Sequence, residues 1–235
     1  MQSQNCKLCG SKSNYMNIKK LEEDYYHCPE CDLIFMDEKD IVSTESEKER
    51  YEEHDNNHEN EGYVNMFKDF IDRAVEPYFD FSEGVKILEF GCGPGPVLAD
   101  LLEEKGVEVD RYDPYFFPDE SYKNKKYDLI TSTEVFEHLL KPAEEVESLL
   151  SILKEDGILS IMTHFHKWDK ENFKFEDWWY KWDNTHITFY SKKTMKWIAN
   201  EYNLEMLFIG TKKLCVFQKI KETIYEKKRG KSKLY

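Results

Sequence analysis

Four of the six cysteines lie in the first 31 residues, with the spacing of a metal site. Cys6 and Cys9 form one C-x-x-C pair, and Cys28 and Cys31 form a second pair 18 residues farther on. This arrangement is typical of a four-cysteine zinc site, and four thiolates complete the tetrahedral coordination of Zn²⁺. The predicted ion therefore holds the fold together and offers no open position for catalysis. The alternative, two redox or incidental pairs, is less favoured because cytosolic chains rarely keep disulfides.

A glycine-rich loop between two apolar runs is the second chemical feature. The runs VKILEF (85–90) and VEVDRY (107–112) are typical of buried parallel strands, and the segment between them holds the loop and a helix. Such a βαβ unit binds a nucleoside cofactor at the carboxyl edge of its strands. Glycines let the backbone approach the ligand where a Cβ would collide. Asp113, at the tip of the second run, is expected to accept the ribose hydroxyl hydrogens.

The details of the loop separate the candidate cofactors. A dinucleotide fingerprint needs a third Gly or Ala where this chain has Pro96, and the G-K-S/T of a phosphate loop is absent. The residues present are Glu89, Gly91, Gly93 and Gly95, an E-x-G-x-G-x-G pattern. This pattern resembles motif I of the class I S-adenosylmethionine-dependent methyltransferases. NAD binding and a non-functional loop remain as alternatives.

The resemblance implies a set of cofactor-binding residues. Glu89 suits a cofactor that carries an ammonium and a sulfonium, and Asp113 matches the ribose-binding acid of the family. The segment 127–139 resembles the family's fourth strand and the loop after it. The implied cofactor contacts are Glu89, Gly91, Cys92, Gly93, Gly95, Asp113, Ser132, Thr133 and Glu134.

The fold that the resemblance implies is α/β, a doubly wound Rossmann-like sheet that is mostly parallel with an antiparallel last strand. Only about fifteen residues separate Asp113 from Asp128, so the third strand is expected to be short or missing. In the family, an acidic residue after the third strand forms part of the adenine pocket. Here Asp119 or Glu120 is expected to take that place. The segment 141–163 predicts a helix, a turn at Gly157 and a further strand.

The predicted organisation has four parts. They are a zinc module at 1–37, an acidic linker or exposed helix at 38–62, a methyltransferase domain at 63–218 with an aromatic insertion at 164–190, and a basic tail at 219–235. An amphipathic helix is expected to open the domain and to end near Pro77. The zinc pairs and the W-Y-x-x-D-x-T-H-x-x-F-Y stretch (179–190) resemble a bacterial subgroup of the family.

The expected catalytic residues lie at the carboxyl edge of the sheet. His138 follows the fourth strand, and the insertion at 164–190 carries His186, Asp183 and Tyr190. In this fold, insertions at that point cover the acceptor, so His138, His186 and Tyr190 are the predicted catalytic residues. The tryptophans of the insertion either wall the acceptor pocket or pack the lid; they are Trp168, Trp178, Trp179 and Trp182.

A second metal site follows from a further resemblance. The string E-x-x-E-H resembles the metal-binding motif of ubiquinone-pathway O-methyltransferases and small-RNA 2′-O-methyltransferases. Carried over, Glu134, Glu137, His138 and His186 hold a magnesium-like ion that lowers the pKa of an acceptor hydroxyl. The same string occurs without metal in the superfamily, and histidines that cap or pack are the alternative. His54 and His58, four residues apart, are interpreted as solvated surface residues.

Charge and composition bear on partners and location. The chain has 235 residues with a formal net charge of -14, no visible signal peptide and no apolar run long enough for a membrane span, so we expect a cytoplasmic protein. Acidity disfavours a wide nucleic-acid footprint, although the segment 219–235 carries seven Lys or Arg against two Glu. The leading hypothesis is methylation of a small metabolite or sugar-like acceptor. The alternatives are an RNA methyltransferase and a non-catalytic cofactor-binding regulator.

Overall fold

The computed structural model describes residues 3–52, 57–167 and 170–221. Within these ranges the strands are β1 (Ser3–Asn5), β2 (Lys12–Met16), β3 (Tyr25–His27), β4 (Ile34–Met36), β5 (Lys86–Phe90), β6 (Glu108–Tyr112), β7 (Tyr127–Thr133), β8 (Leu153–Met162), β9 (Thr188–Phe189), β10 (Leu204–Ile209) and β11 (Leu214–Lys219). The α-helices are α1 (Thr44–Glu52), α2 (Glu61–Ala74), α3 (Val97–Glu103), α4 (Pro142–Ile152) and α5 (Lys192–Glu201).

The central sheet has the predicted mixed α/β architecture. Its strand order is β10-β11-β8-β7-β5-β6. The pairs β5–β6, β5–β7 and β7–β8 are parallel, whereas β11 runs antiparallel to both β8 and β10. The parallel strands end at one edge, where the loops after β5, β6, β7 and β8 meet.

No strand forms between β6 and β7, so β6 is an edge of this sheet. The chain instead makes an isolated bridge between Asp113 and Phe117 and one 3₁₀ turn at Glu120–Asn124. Tyr122 of this turn is buried, and its ring packs against that of Tyr112 at a tilt of 42°, 4.4 Å between ring centroids. The turn therefore covers the edge that a third strand would otherwise cover.

Helices pack on the sheet through the faces that the sequence predicts. α2 buries Phe67, Phe70 and Ile71, and its Ala74 carbonyl accepts a hydrogen bond from the buried Ser160 hydroxyl of β8. The helix ends at Ala74, three residues before the predicted stop at Pro77. In the described residues no helix is long and apolar enough to cross a membrane.

The predicted turn at Gly157 is wrong, because β8 runs through it from Leu153 to Met162. The strand begins directly after α4, and it is irregular near its start. Asp156 has left-handed backbone at φ 63°, and the pairing with β7 shifts its register between Tyr127 and Leu129. A Cβ at Gly157 would lie 2.8 Å from the Lys154 carbonyl oxygen. The glycine thus permits an irregular strand rather than a chain reversal.

The N-terminal residues form a second, antiparallel sheet. The residues between the two cysteine pairs form the β2–β3 hairpin, and the strand order is β1-β2-β3-β4-β9. The last strand, β9, comes from the aromatic insertion at 164–190. The predicted linker at 38–62 contains a 3₁₀ turn (Glu38–Asp40), the helix α1 and the start of α2.

Candidate active site

The glycine loop turns sharply at the carboxyl end of β5. Gly91 has φ +80°, and the N–H groups of Gly91 and Cys92 donate to the Tyr112 carbonyl at the end of β6, at 2.7 and 3.1 Å. A Cβ built on Gly91 would lie 2.2 Å from Cγ2 of Val135. Only glycine fits here, because the backbone is left-handed and the loop after β7 is in direct contact.

Asp113 holds the tip of this loop from the end of β6. One carboxylate oxygen accepts from the Gly93 N–H at 3.0 Å, and the other accepts from the N–H groups of Tyr115 (2.9 Å) and Phe116 (3.2 Å). The side chain is 8% exposed and lines a cavity. Its orientation is therefore fixed by the backbone before any ligand binds.

Glu89 lies beneath the loop and is only 1% exposed. Its carboxyl accepts a hydrogen bond from the Ala99 N–H in the first turn of α3, at 3.0 Å. Burial raises the pKa of Glu89 to about 8, against the opposing effect of that hydrogen bond. A buried carboxyl of this kind gains from a cation placed in the cavity that it lines.

One cavity of about 820 Å³ joins the loop to the insertion. Of the predicted cofactor residues, its wall includes Glu89, Gly91, Cys92, Gly93, Asp113, Thr133 and Glu134. Of the predicted catalytic residues and their neighbours, it includes His138, Asp183 and His186, together with Trp179. We call the end near Asp113 the cofactor half and the end near His186 the acceptor half.

Several predicted residues do not line this cavity. Ser132 is fully buried in β7, and Gly95 lies in the loop outside the lining set. Tyr190 is fully buried, its ring is 5.5 Å from that of Phe136, and its hydroxyl has no hydrogen-bond partner among the described residues. Glu120 lines the cavity, whereas Asp119 caps the 3₁₀ turn by accepting from the Ser121 N–H.

The aromatic insertion divides between core and surface. Trp178 packs against Phe173 and Phe189 inside the insertion, while Trp182 is 68% exposed. Trp179 is 55% exposed and lines the acceptor half. Three of the sequence-based predictions fall outside the described residues: Trp168, His54 and positions 222–235 of the tail. His58, the partner of His54 in the sequence, forms a hydrogen bond to Asp100 at 2.8 Å.

Two carboxyls share one hydroxyl donor in the acceptor half: Glu137 is fully buried, and Glu134 is partly exposed. The Tyr180 hydroxyl contacts Glu134 at 3.1 Å and makes a short hydrogen bond to Glu137. Burial raises the pKa of both carboxyls, and the charge of Glu134 raises that of Glu137 further. Because Glu137 is fully buried and Glu134 faces the cavity and Lys213 (3.9 Å), Glu137 retains the proton and Glu134 ionises first.

Three of the cavity residues that the sequence-based prediction missed carry polar groups into the acceptor half: His164, Tyr180 and Lys213. His164 follows β8, and its ring centroid lies 4.9 Å from that of Trp179, edge to face, and 4.7 Å from that of Tyr180. Burial lowers the pKa of His164 to about 4, helped by the charge of Lys213, so the imidazole is neutral near pH 7. The position of His164 at a strand end was a usable signal. Lys213 instead precedes the antiparallel strand β11, and Tyr180 lies in a short 3₁₀ turn (Trp179–Trp182) with no periodicity to detect.

The structure brings together three of the four residues predicted to bind a second metal. One side-chain atom each of Glu137, His138 and His186 lies within 4.8 Å of the others, and Glu134 is outside this group. The His138 Nδ1 is 3.0 Å from the Thr185 carbonyl, and the His186 Nδ1 is 2.6 Å from the Tyr180 carbonyl. A carbonyl bound to Nδ1 fixes the tautomer and directs Nε2 toward a ligand.

The four N-terminal cysteines also converge. Cys6 and Cys31 have their sulfurs 3.4 Å apart, as do Cys9 and Cys28, and all four sulfurs lie within 4.8 Å of one another. All four are free thiols. Tetrahedral Zn–S bonds of about 2.3 Å place sulfurs about 3.8 Å apart, so the set fits a zinc ion with small adjustments.

Helix α1 contacts both halves of the cavity. Its Glu47 lines the cavity, accepts from the Tyr115 hydroxyl at 2.6 Å and lies 4.0 Å from the Nδ1 of His138. Its Arg50 contacts Asp183 at 3.4 Å. Part of the predicted acidic linker therefore contributes polar side chains to the site.

Comparison with known proteins gives one family match. A family profile described as a methyltransferase domain matches residues 57–208, which is more than half of the chain. A search of curated protein sequences finds no match.

Solved structures that match part of the chain include a coclaurine N-methyltransferase bound to N-methylheliamine and SAH, at 18% identity and a TM-score of 0.43. That match covers 67% of this chain and 53% of the other, so the chain spans about half the length of that relative. The N-methyltransferase NodS from Bradyrhizobium japonicum WM9, in complex with S-adenosyl-L-homocysteine, is 12% identical with a TM-score of 0.49. That match covers 75% of this chain and 98% of NodS.

A putative methyltransferase from Bacillus halodurans C-125 is 14% identical with a TM-score of 0.43, and the match covers 60% of this chain and 70% of the other. The family match includes the glycine loop, Asp113 and most of the residues that line the cavity. The chain therefore belongs to the methyltransferase domain family.

Proposed function

We propose that the protein transfers the methyl group of S-adenosylmethionine to a small-molecule acceptor. The observation that carries this proposal is the single cavity of about 820 Å³ that joins the glycine loop to the aromatic insertion. Its size lies within the range of about 300–1,000 Å³ that is usual for ligand pockets. Donor and acceptor would thus meet inside one continuous cavity.

The cofactor half has the groups that an S-adenosyl nucleoside needs. Asp113 offers carboxylate oxygens to the ribose hydroxyls, and the glycine loop leaves room for the backbone to approach the ligand. Glu89 lies below the loop, where its ionised form would complement the positive charges of the amino-acid end. Glu120 lines the same half and is the candidate acid beside the adenine.

The acceptor half has a base beside aromatic walls. Methyl transfer breaks the sulfur–methyl bond and forms a bond from the acceptor atom to the methyl carbon, in line, so alignment is the main requirement. A hydroxyl or ammonium acceptor must also lose a proton, and Glu134 is placed to take it. Lys213 lies 3.9 Å from Glu134, and the neutral His164 lies beside Tyr180, so both would orient the acceptor atom by hydrogen bonding. The ring of His186 packs against that of Tyr180, 4.3 Å between ring centroids, and His138 lines the same cavity. The predicted role of Tyr190 has no support from its buried position.

The charge of the cavity favours a small acceptor over RNA. Its wall contains two lysines, Lys123 and Lys213, against seven carboxyls: Glu47, Glu89, Asp113, Glu120, Glu134, Glu145 and Asp183. Such a surface repels phosphodiesters and suits a neutral or cationic molecule. RNA methylation, with the zinc module and the basic tail as the grip, is the alternative.

Two metal sites belong to the proposal. Cys6, Cys9, Cys28 and Cys31 hold a structural zinc ion. At the second site, one carboxylate and two imidazoles are the donors of Zn²⁺, Mn²⁺ or Fe²⁺, whereas magnesium prefers oxygen ligands. Glu137, His138 and His186 therefore favour a transition metal. The Glu137 Oε2 has no hydrogen-bond partner among the described residues, which suits a ligand atom. A cation bound there would displace the proton that Glu137 otherwise keeps, because only the carboxylate form is a ligand. A metal there would act as a Lewis acid on the acceptor.

The test is methyl transfer from labelled S-adenosylmethionine to separate small-molecule, RNA and protein fractions of a lysate. We expect label in the small-molecule fraction only, with one S-adenosylhomocysteine formed per methyl transferred. Asp113→Ala should abolish the labelling, and Asp119→Ala, next to the site but outside the cavity, should not. Label in RNA would favour the RNA alternative. Cofactor binding without label in any fraction would favour a regulator.

A further inference from the structure

The zinc module and the acceptor half share a strand. β4 of the N-terminal sheet pairs with β9 of the aromatic insertion, with Ile34 opposite Phe189 and Phe35 opposite Thr188. The Met36 N–H extends this pairing by donating to the Ile187 carbonyl at 2.8 Å. A sheet that begins at the first cysteine pair therefore ends inside the insertion.

The other side of β9 holds the segment after β7. The Ile187 N–H donates to the Glu137 carbonyl at 2.8 Å, and the Thr188 hydroxyl donates to the Leu139 carbonyl, also at 2.8 Å. His186 immediately precedes these two residues in the chain. β9 thus lies between the zinc module and the Glu137–His138 segment, and its position sets that of His186.

A second connection runs from the cysteine knuckle itself. Asp32, the residue after Cys31, has φ 65°, and its carbonyl accepts a hydrogen bond from Nε2 of His166 at 2.8 Å. His166 is buried and lies two residues after His164 of the acceptor half. Lys193, in the first turn of α5, donates to the Pro29 carbonyl within the same knuckle at 2.6 Å.

The two parts also share their apolar interior. Cys28, Cys31 and Phe35 belong to one buried cluster with Phe136 and Tyr190. A second cluster joins the module to the insertion and includes the ring of Tyr180; its members are Met16, Tyr25, Ile34, Met36, Phe175, Tyr180, Ile187 and Phe189. The residue that bridges Glu134 and Glu137 is therefore packed on the module.

The cofactor half is anchored elsewhere. The hydrogen bonds of Gly91 and Gly93 go to Tyr112 of β6 and to Asp113 directly after it, and that of Glu89 goes to α3. These hydrogen bonds are local to the βαβ unit, and only the apolar side chains of Leu88 and Phe90 join β5 to the first buried cluster. A change in the module would reach the acceptor half first.

We infer that the four-cysteine module is a positioning element of the acceptor half, so that zinc occupancy sets acceptor geometry while cofactor binding persists. This inference rests on the proposed function for the identity of the acceptor half. Loss of zinc frees the two knuckles, which releases β4 and with it β9, Tyr180 and His186. Acceptor methylation by this protein thereby depends on zinc occupancy of the module.

The test compares zinc-loaded protein, chelator-treated protein and His166→Gln, which keeps all four cysteines. The readouts are S-adenosylhomocysteine affinity by calorimetry and hydrogen exchange of peptides from 86–113 and 175–190. We expect exchange in 175–190 to rise about tenfold or more, while exchange in 86–113 and the affinity change less than about threefold. Ser121→Ala, outside the module, is the matched control for His166→Gln and should change neither peptide.

Two outcomes would overturn the inference. Equal loss of protection in both regions would mean that zinc supports the whole fold without distinction, and unchanged exchange in 175–190 would mean that the insertion is independent of the module. Because neither readout requires turnover, failure to find an acceptor would count against the proposed function alone. Where an acceptor is known, KM for the acceptor should rise in His166→Gln with little change in KM for the cofactor.

Discussion

Replacement of Gly91 by alanine should lower the free energy of unfolding for two separable reasons. The first is backbone strain, because Gly91 has φ +80° and an L-residue in the left-handed region costs about 1–2 kcal/mol. The second is steric overlap, because the added Cβ would lie 2.2 Å from Cγ2 of Val135. Val135 is β-branched and cannot rotate away freely, so we take the usual overpacking cost of about 1–3 kcal/mol.

The sum is a loss of about 2–5 kcal/mol in the free energy of unfolding. Gly106→Ala is the matched control, since Gly106 has φ +86° and open space around the position of a Cβ. It carries the strain without the overlap and should lose only about 1–2 kcal/mol. Urea denaturation of both variants, followed by circular dichroism, measures the difference.

A double variant isolates the overlap. In Gly91→Ala/Val135→Ala the side chain that collides is shortened, so the two changes should couple favourably by about 1–3 kcal/mol. Equal destabilisation by Gly91→Ala and Gly106→Ala, or strict additivity in the double variant, would refute the claim that the loop after β7 is packed on the glycine loop. That contact matters for function because Val135 is followed closely by Glu137 and His138.

Three further predictions address charge, metal and acceptor. Glu134→Gln should lower kcat by about 100-fold, as expected for loss of a general base, with S-adenosylhomocysteine affinity nearly unchanged; a collapse of that affinity would show that Glu134 serves the cofactor instead. Glu89 has a pKa raised from 4.5 to about 8, so between these pH values the folded protein keeps a proton that the unfolded chain has released. The stability of the wild-type protein should therefore fall as pH rises from about 4.5 to 8, and more steeply than that of Glu89→Gln. Urea midpoints at pH 5, 6.5 and 8 measure the two slopes, and equal slopes would contradict the prediction. If Glu137, His138 and His186 bind a metal, a chelator too weak to remove thiolate-bound zinc should abolish activity. Mn²⁺ or Zn²⁺ should then restore the activity better than Mg²⁺. Activity that is insensitive to the chelator would rule out the second metal site.

Local patterns account for the part of the site that the sequence could predict. The glycine loop, Asp113 and the cysteine pairs each combine residue type with short spacing, and their structure follows from turns and strand ends within about thirty residues. The strand edge also predicted the position of Glu134 and His138, because the carboxyl ends of parallel strands meet.

The rest of the site depends on contacts between distant segments. Glu47 reaches Tyr115 from the acidic segment 38–62, where low apolar content gave no sign of a structural role. Tyr180 and Tyr190 stand in the same aromatic stretch, yet only burial decides that the first bridges two carboxyls and the second packs inside the core. The pairing of β4 with β9 joins residues some 150 positions apart, and a two-residue strand has no periodicity to detect.

A structure of the protein with bound S-adenosylhomocysteine tests the central claim most directly. We predict the ribose hydroxyls within hydrogen-bond distance of the Asp113 carboxylate, and the sulfur directed toward Glu134, Tyr180 and His164. Density for the ligand outside this cavity, or a sulfur directed away from the acceptor half, would contradict the account.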